Sequence, residues 1–131
     1  MKFEQRQFDG RPDDEKNDCV VRSFSVAAGI AYLEAHAVVA KCGRRNRMRT
    51  KHAVTDKAAK ALKLIKRKVK PGMTVQRVLE ELEGVPQCAV WVNGHIIPVI
   101  RGIEVDFKSL ARPKQIVKAV YISANYDFGK L

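Results

Sequence analysis

The stretch CAVWVNGHIIPVIRGIEVDF, residues 88–107, decides the fold of this chain. It contains three apolar runs separated by Asn93-Gly94 and Arg101-Gly102. Asn-Gly between two β-rich runs is a strong hairpin signal, because both residues tolerate the positive φ of a tight turn. The stretch therefore predicts an antiparallel meander. Because Pro98 has no backbone N–H, we expect the strand that carries His95 to lie at a sheet edge or to be bulged there.

The residues before Gly84 have a helical pattern instead. Asn17 and Asp18 are favourable helix starters, since their side chains can accept unpaired backbone N–H groups. We expect helices from Cys19 to Gly29, over about Ala31 to Lys41, over 54–64 with Thr55 as a possible cap, and over 74–82 with Thr74 as the cap. Residues 65–70 alternate like a short edge strand, and residues 116–122 are a further strand after the meander.

Length and composition favour one soluble domain over 1–131. We divide it into a polar N-terminal segment (1–16), a mainly helical part (17–83) and an antiparallel sheet (84–131). The expected fold class is α+β, with N-terminal helices packed on a C-terminal sheet. No apolar run approaches the roughly 20 residues of a membrane span, and the N-terminus lacks a secretory signal, so we expect a cytoplasmic protein without membrane contact.

The three cysteines predict reduced thiols. Cys19, Cys42 and Cys88 form an odd set without a CxxC pair, and too few histidines lie nearby for a zinc site. We therefore expect no disulfide, metal or other cofactor, and structural roles for Cys42 and Cys88.

The positive charge is concentrated in one segment. Thirteen of the 25 Lys and Arg residues lie between Lys41 and Lys70, where Asp56 is the sole acid. This segment is either a solvated face or an electrostatic surface for nucleic acid or an acidic protein. The candidate binding residues are Arg44, Arg45, Arg47, Arg49, Lys51, Lys63, Lys66 and Arg67. The loop among them has no aromatic residue, so nucleic acid would be contacted mostly at its phosphates.

Three residues, Cys19, His95 and Asp106, are candidates for a catalytic site. Cys19 stands at a predicted helix start, where partial positive charge and unpaired N–H groups stabilise a thiolate. His95 opens a strand directly after a turn and is a candidate base. Asp106 lies on the next strand, and antiparallel pairing can bring it beside His95.

These blocks resemble small papain-like cysteine peptidases, including peptidase-like proteins encoded by bacteriophages. The run 17–22, Asn-Asp-Cys-Val-Val-Arg, is similar to the nucleophile motif that opens the central helix, and 93–106, from Asn-Gly-His to Asp106, is similar to the His strand and the acid of the triad. Weaker similarity at 32–36 and 43–44 extends the resemblance over most of 17–107. It implies a papain-like fold and cleavage of a peptide or other amide bond by Cys19, His95 and Asp106, in the host cytoplasm if the chain is phage-encoded.

The chain also departs from that family. Asp13 stands where papain-like enzymes place a Gln that stabilises the oxyanion, which leaves Asn17 and the Cys19 N–H as donors. Pro98 and Arg101 stand where the motif more often has a small residue and an acid.

Each candidate also has a structural interpretation. Cys19 could be a small buried apolar residue, His95 a hydrogen-bonded hairpin histidine and Asp106 a solvent-facing strand residue. The alternative function is a catalytically inactive papain-like protein that binds nucleic acid or an acidic host protein through the 41–70 face. We further expect a partly buried, hydrogen-bonded His36, a solvated His52, and Trp91 in a core or on a sheet face.

Overall fold

A computed structural model describes residues 1–126, which form a six-stranded sheet and four helices. The elements in chain order are β1 (Phe3–Gln5), α1 (Cys19–Ala28), α2 (Tyr32–Lys41), α3 (His52–Ala61), β2 (Leu64–Lys68), α4 (Val75–Glu81), β3 (Cys88–Val92), β4 (His95–Ile100), β5 (Ile103–Asp106) and β6 (Val117–Ser123). The expected α+β class is therefore confirmed.

The strand order is β1-β5-β4-β3-β6-β2. Strands β3, β4 and β5 form the predicted antiparallel meander, and β2 is an edge strand as expected. Two features differ from the sequence expectation. β6 returns to the far side of β3 instead of pairing with β5, and β1 from the polar N-terminal segment adds to β5 in parallel.

The expectation that Pro98 marks a sheet edge or a bulge is wrong, because β4 lies inside the sheet between β5 and β3 and its register with β3 continues through Pro98 without a shift. Pro98 is paired with Ala89 of β3. On the other side, the ladder between β4 and β5 consists of only two pairs, formed by Val99 and Ile100. That ladder stops next to Pro98, so a residue without an N–H is accommodated in an interior strand.

The helix ends follow local signals in most places. α1 begins at Cys19, and Gly29 ends it with a φ of 67°. Thr74 caps α4 by accepting the Arg77 N–H at 3.3 Å. Thr55 does not cap α3, because α3 begins three residues earlier and the Thr55 hydroxyl donates to the Lys51 carbonyl inside the helix.

Helices cover both faces of the sheet. The α1-side core joins α1, α2 and α3 to one face and includes Phe24, Ile96 and Tyr121. The α4-side core joins α4 to the other face and includes Leu82, Val90 and Ile97. Within 1–126 no single helix has the length and apolar content to cross a membrane; α1 and α2, bent by 117° where they meet, meet these criteria only as a pair.

Candidate active site

Cys19 is the first residue of α1 and is partly exposed. One turn further along the helix, the buried Ser23 hydroxyl donates to the Ile96 carbonyl at 3.0 Å. This bond ties the beginning of α1 to the beginning of β4. Because four residues advance a helix by about 6 Å, Cys19 lies about one helical turn from this contact with β4.

His95 is the first residue of β4 and is partly buried. Its Nε2 atom is buried and has no hydrogen-bond partner within residues 1–126. Burial and the positive charges of Arg22 and Arg49 lower the pKa of His95 to about 4, against the opposing effect of Glu104. The imidazole is therefore neutral at neutral pH, with a ring nitrogen that no other group occupies.

Cys19 and His95 line the same cavity, which has a volume of about 720 Å³. No hydrogen bond between them is formed in the part of the chain that the structure describes. Ile96, the next residue of β4, packs into the α1-side core and lines the same cavity, so His95 borders the cavity from the end of the strand.

Asp106 is fully buried at the end of β5, and its carboxylate is bound by other partners than His95. Its Oδ1 accepts hydrogen bonds from Arg22 and from the Phe107 N–H, whereas Oδ2 is buried without a partner among the described residues. The last pair of the β4–β5 ladder is Val99 with Glu104, so Asp106 lies beyond the paired part of β5, at the end of the sheet where β4 begins with His95. Burial raises the pKa of Asp106, and Arg22 partly opposes this.

A buried ionic network lies beneath the start of α1. Asp18 accepts hydrogen bonds from Arg11 at 2.8 Å, from Arg22 at 3.1 Å and from the Tyr32 hydroxyl at 2.8 Å. Burial opposes ionisation of Asp18, but the hydrogen bond from Arg11 and the charge of Arg22 outweigh it and lower the pKa to about 2. Both guanidinium groups also lie 4.6 Å from the centre of the Phe107 ring.

Sequence reasoning missed Arg22 as the link between the two acids. A local signal did exist, because Asp18 and Arg22 are four residues apart and face each other on a helix. No local signal connected Arg22 to Asp106, which lies 84 residues away.

Asn17, the candidate oxyanion donor, is exposed and has a φ of 57°. It lines the cavity together with Asp13. Its Nδ2 donates to the Arg47 carbonyl at 3.2 Å, so one of its two amide hydrogens is already engaged. Asp18 makes no side-chain bond to the first N–H groups of α1, and these donors are not occupied by a cap.

Of the eight candidate binding residues in the basic segment, one arginine is buried and most of the others are exposed. Arg44 is buried and bonds inward to Glu15 at 3.3 Å and to the Met48 carbonyl at 3.0 Å. It therefore does not belong to the exposed surface that the sequence suggested. The other candidates are exposed, apart from the partly buried Arg67; they are Arg45, Arg47, Arg49, Lys51, Lys63 and Lys66.

The remaining cysteines and histidines fit their expected surroundings. Cys88 is fully buried in the α4-side core, and burial raises its pKa to about 12. Cys42 is partly buried against the α1-side core. His36 is partly buried, with its Nε2 3.4 Å from Glu15. His52 is exposed, but its ring lies 4.9 Å from that of Trp91.

The chain matches no protein-family model, no curated protein and no solved structure. The resemblance to papain-like peptidases thus depends on the sequence blocks alone and stays a prediction.

Proposed function

We propose that the protein is a papain-like thiol hydrolase that cleaves a peptide or other amide bond. One observation carries the proposal: Cys19 at the start of α1 and the unpartnered Nε2 of His95 belong to one cavity. A nucleophilic thiol and a neutral imidazole in a shared cleft are the two groups that such chemistry needs.

In the proposed reaction, His95 accepts the Cys19 proton as the sulfur attacks the carbonyl carbon. The oxyanion is stabilised by the Cys19 N–H and the remaining Asn17 amide hydrogen. When the tetrahedral intermediate collapses, the C–N bond breaks and His95 gives the proton to the leaving amine. His95 then takes a proton from water, which cleaves the thioester, releases the acid and restores the thiol.

Asp106 supports this scheme through the oxygen that Arg22 does not use. The unpartnered Oδ2 of Asp106 and Nε2 of His95 are buried polar atoms on adjacent antiparallel strands, one at the end of β5 and the other at the start of β4. Turning the two side chains toward each other would let Nε2–H of His95 donate to Oδ2 of Asp106 and would satisfy both buried atoms. The other ring nitrogen, Nδ1, is then the one that accepts the Cys19 proton. The carboxylate would also raise the pKa of His95 from about 4 toward the range in which a general base works best.

The test is pH-dependent alkylation with iodoacetamide, followed by mass spectrometry at each cysteine. Cys42 is a matched internal control, because it is also partly exposed but has no described acid–base partner. We expect Cys19 to react about tenfold faster than Cys42 at neutral pH. The His95→Ala variant should slow Cys19 to the Cys42 rate while leaving Cys42 unchanged, and His95→Gln gives a second, polar replacement.

Equal rates at Cys19 and Cys42 in the wild type would contradict the proposal. So would an unchanged Cys19 rate in both His95 variants. The Cys42 rate reports whether each variant is folded, because a loss of packing would expose that thiol too.

A second function, binding through the basic face without catalysis, is favoured by the exposed Arg45, Arg47 and Lys51. It predicts that RNA or DNA binding survives Cys19→Ala, weakens steeply with salt and is lost in Arg45→Gln/Arg47→Gln. Fluorescence polarisation with labelled oligonucleotides tests this. Undetectable binding at moderate salt would exclude the nucleic-acid version.

A further inference from the structure

The cavity has an aromatic and cationic side that the proposed chemistry does not use. Trp91 is partly buried and lines the cavity. Lys66 Nζ lies 4.5 Å and Lys118 Nζ 5.7 Å from the centre of a Trp91 ring. Lys118 reaches this position because β6 has a register shift where it passes Trp91 and Val92, so that Lys118 is the extra residue.

Some of the charged side chains that line the cavity have an ion-pair partner, and others do not. The acids Glu15 and Asp18 are paired with arginines. Arg49 lines the cavity and makes no ion pair with any residue of 1–126, and its charge reaches His95. Asp13 is the one lining acid within that range that has no cationic partner. Lys16 and Lys108 also line the cavity without an ion pair among the described residues. Of the two lysines beside the Trp91 ring, Lys66 is already bonded to Asp56 at 3.4 Å, so Lys118 is the one that remains available to a ligand at the ring, together with Arg49 of the lining.

We propose that this side of the cavity selects acidic peptide substrates. A carboxylate side chain next to the scissile amide binds Arg49 and Lys118, and its methylene packs on Trp91. The inference rests on the proposed function, since it assigns the substrate class of the same site.

A peptide fits these contacts better than a nucleic acid. The indole is already in contact with His52 and Lys66, so a stacking base would have to displace one of them. A carboxylate needs only the cations beside the ring. The cavity volume of about 720 Å³ is in the range of sites that enclose small ligands or short peptide segments.

The experiment uses two acetylated tripeptide vinyl sulfones that differ only by Asp or Asn next to the sulfone. The Cys19 sulfur adds to the vinyl carbon, and the thiol proton ends on the adjacent carbon. The readout is the ratio of the Asp rate to the Asn rate at Cys19, measured by mass spectrometry. We expect a ratio of about five at low salt that declines toward one at high salt.

The ratio should fall close to one in Arg49→Gln/Lys118→Gln. The control Lys41→Gln/Lys114→Gln removes the same charge from exposed positions outside the cavity and should keep the wild-type ratio. A wild-type ratio of one, or a ratio that the Arg49/Lys118 variant leaves unchanged, overturns the inference.

Two further outcomes separate this inference from the proposed function. Selective labelling of Cys19 without preference for Asp overturns the substrate class alone, whereas labelling no faster than at Cys42 overturns both. If a short single-stranded RNA protects Cys19 in the wild type but not in Arg49→Gln/Lys118→Gln, and the ratio is one, the cations serve nucleic acid and the peptide inference fails.

Discussion

The two faces of the sheet are built from different chemistry. The α4-side core is almost entirely aliphatic, with Cys88 as the most polar of its buried members. The buried acid next to it, Glu104, pairs with Val99 and is bonded by the Ser109 hydroxyl and two backbone N–H groups instead of by a cation. The α1 side combines an apolar core with buried charges near the start of α1: Glu15, Asp18, Arg22, Arg44 and Asp106. Buried ion pairs seldom contribute more stability than apolar residues of the same size. The buried ion pairs are thus concentrated on the α1 side, where the proposed site lies, whereas the α4 side is packed mainly by apolar residues.

The starts of the two helices show the same difference. Thr74 uses its side chain to cap α4. Asp18 stands at the corresponding position of α1, but its carboxylate is bound by Arg11, Arg22 and Tyr32 and makes no cap bond. The N–H groups beside Cys19 are therefore left for another acceptor, as an oxyanion site requires.

The largest expected difference between the two faces of the sheet is in the alkylation rates of their thiols, Cys19 and Cys88. Cys88 is fully buried and its pKa is raised to about 12, whereas Cys19 is partly exposed in the cavity. Native iodoacetamide labelling at pH 8 should modify Cys19 on the order of 10³-fold faster than Cys88, because the thiolate is the reacting form. Denaturation should bring the two rates together. Comparable rates in the native protein would mean that the α4 side is not a closed core.

The second largest expected effect is a loss of stability when Arg22 is replaced. Arg22→Ala leaves Asp106 buried without its cation and deprives Asp18 of one of two cations. We expect the free energy of unfolding, measured with urea, to fall by about 3–5 kcal/mol. Arg22→Met in an Asp106→Leu background should recover much of this loss, since both charges are then absent.

Arg77→Ala is the matched control on the α4 side. Its side chain is 64% exposed and pairs with Glu81 in an i,i+4 arrangement at 3.5 Å. Such surface pairs contribute little, so this variant should unfold almost like the wild type. If Arg22→Ala were equally harmless, the ionic network would have no structural role.

The features that the sequence predicted correctly are set mainly by residues close to one another in the chain. The Asn93-Gly94 turn and the cap at Thr74 each depend on a few neighbouring residues, and the structure has them where expected. α1 also begins at Cys19 as predicted, but without the side-chain cap on which that prediction is based. Cys88, for which a structural role is expected, is fully buried.

Most of the features that the sequence did not predict are contacts between residues that lie far apart in the chain. Arg44 looked like one member of an exposed basic run, but it is buried on Glu15, 29 residues away. The Arg22–Asp106 contact spans 84 residues, and β1 pairs with β5 across about as much of the chain. A charge count cannot tell which arginine of a run meets a buried acid, because that depends on the packed structure.

The pH dependence of stability tests the state of His95. Its pKa is about 4 in the folded protein against 6.5 for an ordinary histidine. Between pH 6.5 and 4 the unfolded chain binds the proton and the folded chain does not, so stability should fall as the pH falls through this window. Allowing for partial exposure, we expect a loss of about 2 kcal/mol.

His95→Gln should remove that loss, as followed by urea unfolding from pH 7 to pH 4. A further decline between about pH 4 and 2 should remain in both proteins, because the lowered pKa of Asp18 stabilises the fold above that range. If the free energy of unfolding fell equally with pH in the wild type and the variant down to pH 4, His95 would not be a neutral, desolvated group.

The smallest effect is expected at the cap of α4, and it tests whether the two helix starts differ as described. Thr74→Ala removes the acceptor of the Arg77 N–H. The change should cost about 1 kcal/mol in urea unfolding. Thr74→Ser keeps the hydroxyl and should retain most of the stability, so the pair separates the hydrogen bond from the lost methyl group. Because α4 serves packing, Thr74→Ala should leave the alkylation rate of Cys19 unchanged. A slower Cys19 reaction would mean that the two faces of the sheet are coupled, and the separation of the α4-side core from the proposed site would then be wrong.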